Sequence, residues 1–153
     1  MQERDSRLIL TCLSIFMWAL GCRVVGGDEA FILLAQGDSK QLRFDSETLR
    51  SRCPGGVLIV DLGVSEDGCQ EDCSQWWVVR RGEISPSTPR TPLPIEYGQA
   101  ISELEIRVPP KELAPGEYLV SGTVACYEGG EVMGHIASGR FLIAEDGAAG
   151  SAR

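Results

Sequence analysis

Leu113-Ala114-Pro115-Gly116-Glu117-Tyr118-Leu119-Val120 is the stretch from which the fold is read. Pro115-Gly116 makes a turn, because proline presets one backbone angle and glycine accepts conformations closed to other residues. A strand is expected over residues 118–127, with Tyr118, Val120, Val124 and Cys126 on one face and Gly122 between them. Glu128-Gly129-Gly130 reads as a hairpin turn. Residues 139–145 then supply a closing strand with Phe141 and Ile143 inward.

Upstream the same period recurs. Residues 57–64 (VLIVDLGV) form the clearest buried strand, with Leu58, Val60, Leu62 and Val64 expected on one face. Residues 76–81 (WWVVRR) are strand by residue type, and residues 101–108 alternate Leu104, Ile106 and Val108. Between them Pro86, Pro89, Pro92 and Pro94 impose an extended connection or an edge segment, since proline donates no ladder hydrogen bond. Residues 30–36 (AFILLAQ) fit strand or helix, Gly37-Asp38-Ser39 is a turn, and residues 41–44 read as a short strand. Residues 45–52 are polar, with a helical turn opened by Ser46. About seven strands with turn-rich connections make an all-β, antiparallel two-sheet sandwich over residues 30–145; the alternative is a partly closed β-barrel. The small, polar residues 146–153 read as a disordered tail.

The turn and strand around Tyr118 resemble the entry to a late strand in immunoglobulin-like and fibronectin-III-like sandwiches. That resemblance implies a Tyr118 hydroxyl bonded back to the preceding loop. It spans about thirty residues and speaks to architecture, not function.

The N-terminus carries an address. Leu8 to Cys22 (LILTCLSIFMWALGC) runs without a charge, with Arg4 and Arg7 before it and Arg23 after. This is the layout of a secretory signal, and it falls short of the roughly 20 apolar residues of a transmembrane helix. Trp18-Ala19-Leu20-Gly21-Cys22 resembles the lipobox of bacterial lipoproteins. The resemblance implies that residues 1–22 are a signal peptide and that Cys22 is lipidated and becomes the first residue of the mature chain. Residues 23–29 then form a tether. Since residue 23 is Arg, not Asp, the family's sorting habit implies the periplasmic side of an outer membrane; a soluble secreted protein is the alternative.

Removing residues 1–22 takes away Arg4, Arg7, Glu3 and Asp5, so the net charge stays at −8. That balance gives no electrostatic reason to bind nucleic acid or anionic headgroups. Cys12 leaves with the signal and Cys22 goes to lipid. Cys53, Cys69, Cys73 and Cys126 remain, an even number in a chain bound for an oxidising compartment, so two disulfides are expected. If the strand at 76–81 runs antiparallel to that at 118–127, Cys126 lies beside the acidic loop and pairs with Cys69 or Cys73, leaving the other for Cys53. The alternative is Cys69–Cys73 with Cys53–Cys126.

Chemistry is sparse. No GxSxG, HExxH or phosphate-cradling loop occurs, and His135 is the one histidine. A Cys126–His135 pair across a hairpin is the remote enzymatic reading, and no catalytic residue is expected. Cys69-x-x-x-Cys73 with Cys53, Cys126 or His135 has donors for zinc, but export favours disulfides, and no metal site or cofactor is expected. Glu66, Asp67, Glu71 and Asp72 do not match calcium-loop spacing and read as a solvated acidic loop.

Trp76-Trp77 is the exception. On a strand the two rings face opposite sides, one core and one surface, and with Arg80 and Arg81 they are the candidate ligand contacts. The expected function is a membrane-anchored envelope module acting through a protein partner; the alternative is glycan or peptide binding on a tryptophan. Intact-mass analysis checks the address. The mature chain should begin at lipid-bearing Cys22, and reduction should add two hydrogens for each of two disulfides.

Overall fold

The computed structural model describes residues 30–152; the expected signal peptide, Cys22 and the tether lie outside the described residues. The chain runs β1 (Phe31–Ile32), β2 (Leu34–Gln36), β3 (Arg43–Asp45), α1 (Glu47–Arg52), β4 (Leu58–Glu66), β5 (Ser74–Arg80), β6 (Ile95–Glu96), β7 (Leu104–Val108), β8 (Gly116–Glu128), β9 (Glu131–Ile143) and β10 (Ala149–Ser151). The larger sheet has the order β1-β9-β8-β4-β5-β7, with β10 also on β9; the smaller is β2-β3-β6. The fold is an all-β two-sheet sandwich, not closed into a barrel.

Every strand pair is antiparallel except β1 on β9, which is parallel. That exception has a local cause. The chain passes from the larger sheet to the smaller at Leu33, whose N–H donates to the Ser138 carbonyl at 2.9 Å. A Cβ on Gly139 would collide with the Leu33 backbone there, so only glycine admits the crossing.

Between the sheets Trp76, Phe44, Phe141, Leu62, Ile59, Ile95 and Val120 are fully buried. Phe141 stacks on Tyr118 at 5.5 Å and meets Phe44 of the other sheet at 5.6 Å, in the range where aromatic pairs attract beyond their area. The Tyr118 hydroxyl donates to the Ala114 carbonyl at 2.8 Å, fixing the Pro-Gly turn to β8 as the sandwich resemblance implies. Ser46 caps α1 by accepting from the Leu49 N–H, and Leu49 plugs the core.

Three expectations are corrected. The first concerns the face of β4. A bulge between Ile59 and Asp61 puts Ile59 with Leu62 and Val64 in the core, while Leu58 pairs across from Ala125 outside the main cluster. The second concerns the tail. Residues 149–151 are a strand, because the Gly147 turn folds them back onto β9 in register with residues 141–143.

The third is the disulfide pairing, which is Cys53–Cys126 and Cys69–Cys73. The reason is topological. β5 and β8 are each antiparallel to β4, which lies between them, so they run parallel to one another. The loop carrying Cys69 and Cys73 therefore sits near the start of β8, a strand's length from Cys126.

The two bridges differ in what they constrain. Cys53–Cys126 closes a separation of 73 residues from a buried position, and Cys69–Cys73 a separation of 4 on the surface. On chain entropy alone, replacing Cys53 and Cys126 by alanine should cost about 4 kcal/mol, and replacing Cys69 and Cys73 about 2 kcal/mol. Urea denaturation of the two double variants should reproduce that order.

Candidate functional site

β5 alternates strictly at its two tryptophans. Trp76 is fully buried, with its ring 5.5 Å from that of Tyr97 in an edge-on contact. Tyr97 is itself tied down. Its hydroxyl lies 2.8 Å from the Lys111 carbonyl and 3.0 Å from the Gln75 carbonyl, and accepts from the Lys111 N–H at 3.2 Å. Burial is the main reason that its pKa is pushed up to about 12. With Trp76 locked inward, Trp77 must point out, and it is 42 % exposed.

The register shows what Trp77 stands beside. Across the outer face of the larger sheet, one row reads Val108, Trp77, Gly63, Ser121, Ser138 and Ile32. The adjacent row reads Val79, Asp61, Thr123 and Ile136. The indole lies against Gly63: a Cβ there would sit 3.3 Å from the Trp77 ring edge and 3.1 Å from the Trp76 carbonyl oxygen. Small residues make the floor, and Ile32 rises at the far end, 66 % exposed. Asp61, Gly63, Ser65, Ser74, Trp77 and Ser121 line an open hollow of about 270 Å³. Asp61 takes part in no ion pair among the described residues.

Of the four candidate contact residues, Trp76 and Trp77 line this hollow, and of these two only Trp77 is exposed. Trp76 is core. Arg80 also turns inward: its side chain is 3 % exposed, Nε donates to the Ile59 carbonyl at 2.8 Å, and Nη1 pairs with Glu103 at 2.9 Å. It braces the β4 bulge and is not free to meet a ligand. Arg81 is exposed and paired with Glu105. The floor residues Asp61, Gly63, Ser121 and Ser138 were not singled out from the sequence. Their signal lies mid-strand on β4, β8 and β9, where the small, uncharged Gly63, Ser121 and Ser138 take outward positions beside the single acid Asp61.

A second cluster lies at the other end of β8. His135 Nε2 is 3.0 Å from Glu128 Oε1, and one donor atom each from Cys126, Glu128 and His135 lie within 4.8 Å of one another. The Phe31 ring covers His135 edge-on at 5.0 Å, and Arg52 lies over Phe31 while pairing with Glu128 at 3.5 Å. Sequence reasoning placed Cys126 and His135 across one hairpin, and the structure does bring them together. The Cys126 sulfur is in a disulfide, however, so it is available neither as a nucleophile nor as a metal-binding thiolate. In the acidic loop Asp67 pairs with Arg140 at 3.3 Å and Glu66 accepts from Gln75, so these carboxylates are already engaged.

No family model, curated protein or solved structure matches the chain. Among the described residues no helix is long and apolar enough to cross a membrane.

The Tyr97 brace gives a pH signature. The fold keeps Tyr97 protonated above the pH at which an unfolded tyrosine ionises, so its contribution is complete below pH 10 and is lost as pH rises from 10 towards 12. The urea midpoint should fall over that interval, and Tyr97→Phe should flatten the fall while lowering stability at neutral pH by about 1 kcal/mol for the lost hydroxyl bonds.

Proposed function

We propose that this protein is an extracytoplasmic binding module, held at a membrane through lipid on Cys22, which docks a component of the cell envelope on the outer face of its larger sheet. The observation that carries the reading is the exposed indole of Trp77 standing over Gly63 beside a serine-lined floor whose one charge is Asp61. An aromatic ring left at a surface, while its neighbour Trp76 is fully buried, retains contact area for a partner. The four remaining cysteines, all in disulfides, agree with a chain that meets oxidant.

A second reading has its own observation. β7 ends the larger sheet, and Ile106 on it is 46 % exposed, so a partner strand could add there. Glu105 and Arg107 on the same strand oppose that, since charges on an edge strand discourage pairing.

Photo-crosslinking in living cells separates the two. A benzophenone amino acid at Ser121 of the full chain should capture an envelope component, and Trp77→Ala should reduce the yield severalfold. Capture from Arg107 but not from Ser121 would move the contact to the edge strand. No capture from either, above the level at exposed Lys40, would remove the docking role.

A further inference from the structure

Resting on that reading, we infer that the ligand of the outer face is a neutral glycan chain lying across the strands, from Trp77 towards Ile32.

Charge narrows the ligand first. The hollow holds one carboxylate, Asp61, and no cation lines it, while the chain as a whole carries −8. A phosphate or carboxylate group would meet the Asp61 carboxylate with no cation inside the hollow to offset it, the nearby Lys111 ammonium being bonded to the Ser74 carbonyl at 2.9 Å. A neutral polyol meets instead an unpaired acceptor in Asp61 and three hydroxyls, on Ser65, Ser74 and Ser121, each able to donate and accept.

Backbone chemistry then separates glycan from peptide. An extended peptide gains affinity mainly by adding its main-chain hydrogen bonds to a free sheet edge. Here the floor strands β4 and β8 are internal and paired on both sides, so their N–H and C=O groups are spent within the sheet. A peptide laid over Trp77 would leave its own amides without ladder partners. A pyranose has no such requirement: its C–H face packs on the indole and its hydroxyls turn to the polar floor. A protein partner would want a continuous apolar centre. Trp77 is instead separated from the Ile32 and Ile136 pair by Gly63, Ser121, Ser138 and Thr123.

The row also sets a direction and a length. From Trp77 on β5 to Ile32 on β1 there are four strand-to-strand steps, about 19 Å at the usual sheet spacing. That accommodates several sugar units, so affinity should grow with chain length beyond a disaccharide.

The test uses the mature full-length protein in a sugar-free detergent, titrated calorimetrically with β-1,4-linked glucose and β-1,4-linked N-acetylglucosamine di- and tetrasaccharides, and with an α-1,4-linked glucose tetrasaccharide. At least one tetrasaccharide should bind, more tightly than its disaccharide. Trp77→Ala should weaken it tenfold or more, and Asp61→Asn about tenfold. Both residues lie on the outer face, and unchanged thermal midpoints would show that the variants fold. No binding by any tetrasaccharide, or binding indifferent to both variants, would overturn the inference. If the Ser121 crosslink nevertheless captures a protein, the docking face stands and its glycan occupant is wrong; if it captures nothing, both fall.

Discussion

Burial of Trp76 is the constraint on which the rest of the molecule turns. A large ring filling the space between two sheets, braced by Tyr97, fixes how β5 is rotated about its own axis. Truncating so large a core ring costs on the order of 3–5 kcal/mol in proteins generally, so the strand has little freedom to turn over. Because strand side chains alternate, that one commitment expels Trp77. What could pass for a wasted apolar residue at the surface follows from the packing beneath it. Gly63 completes the arrangement, since any larger residue on β4 would push the ring away.

Much of the framework was legible from pattern. The Pro-Gly turn, the hydroxyl bond from Tyr118, the capping Ser46 and the inward set Val120, Val124, Phe141 and Ile143 are local features, governed by a few neighbouring residues. Long-range order was not legible in the same way. The disulfide pairing depends on which strand lies between β5 and β8, and nothing within either strand says so. The strand at residues 149–151 was hidden because alanine, glycine and serine carry no strand signal of their own; β9 supplies the pairing. At the site, the Trp76-Trp77 pair announced that one ring would be outside, but not which. Arg80 looked like a surface contact, and its alternation with Trp76 and Val78 takes it inward instead.

The two ends of β8 are finished differently. At one end Tyr118 and Phe141 stack, and burial together with the nearby charge of Glu66 holds the Tyr118 phenol above its ordinary pKa. At the other, the Cys53–Cys126 bridge ties the segment after α1 to the hairpin, beside His135, Glu128, Phe31 and Arg52. The imidazole is nearly closed off, bonded through Nε2 only; Nδ1 has no partner among the described residues. This corner joins α1, β1, β8 and β9, and its sulfurs are held by one another.

The bulge in β4 reaches further than its size suggests. Val60 is one residue more than the partner strand β8 can match, and it reverses the parity of everything after it. Upstream, Val57 and Ile59 face the interior; downstream, the interior positions become Leu62 and Val64, and Asp61 and Gly63 face out. Were the strand regular, the carboxylate and the glycine would be sealed inside and two aliphatic residues would stand in solvent. The spacing along this strand is therefore as much a part of the outer face as the side chains it displays: with Val60 absent, plain alternation from Ile59 would itself carry Asp61 and Gly63 outward, so the face survives this extra codon only because the chain absorbs it as a bulge.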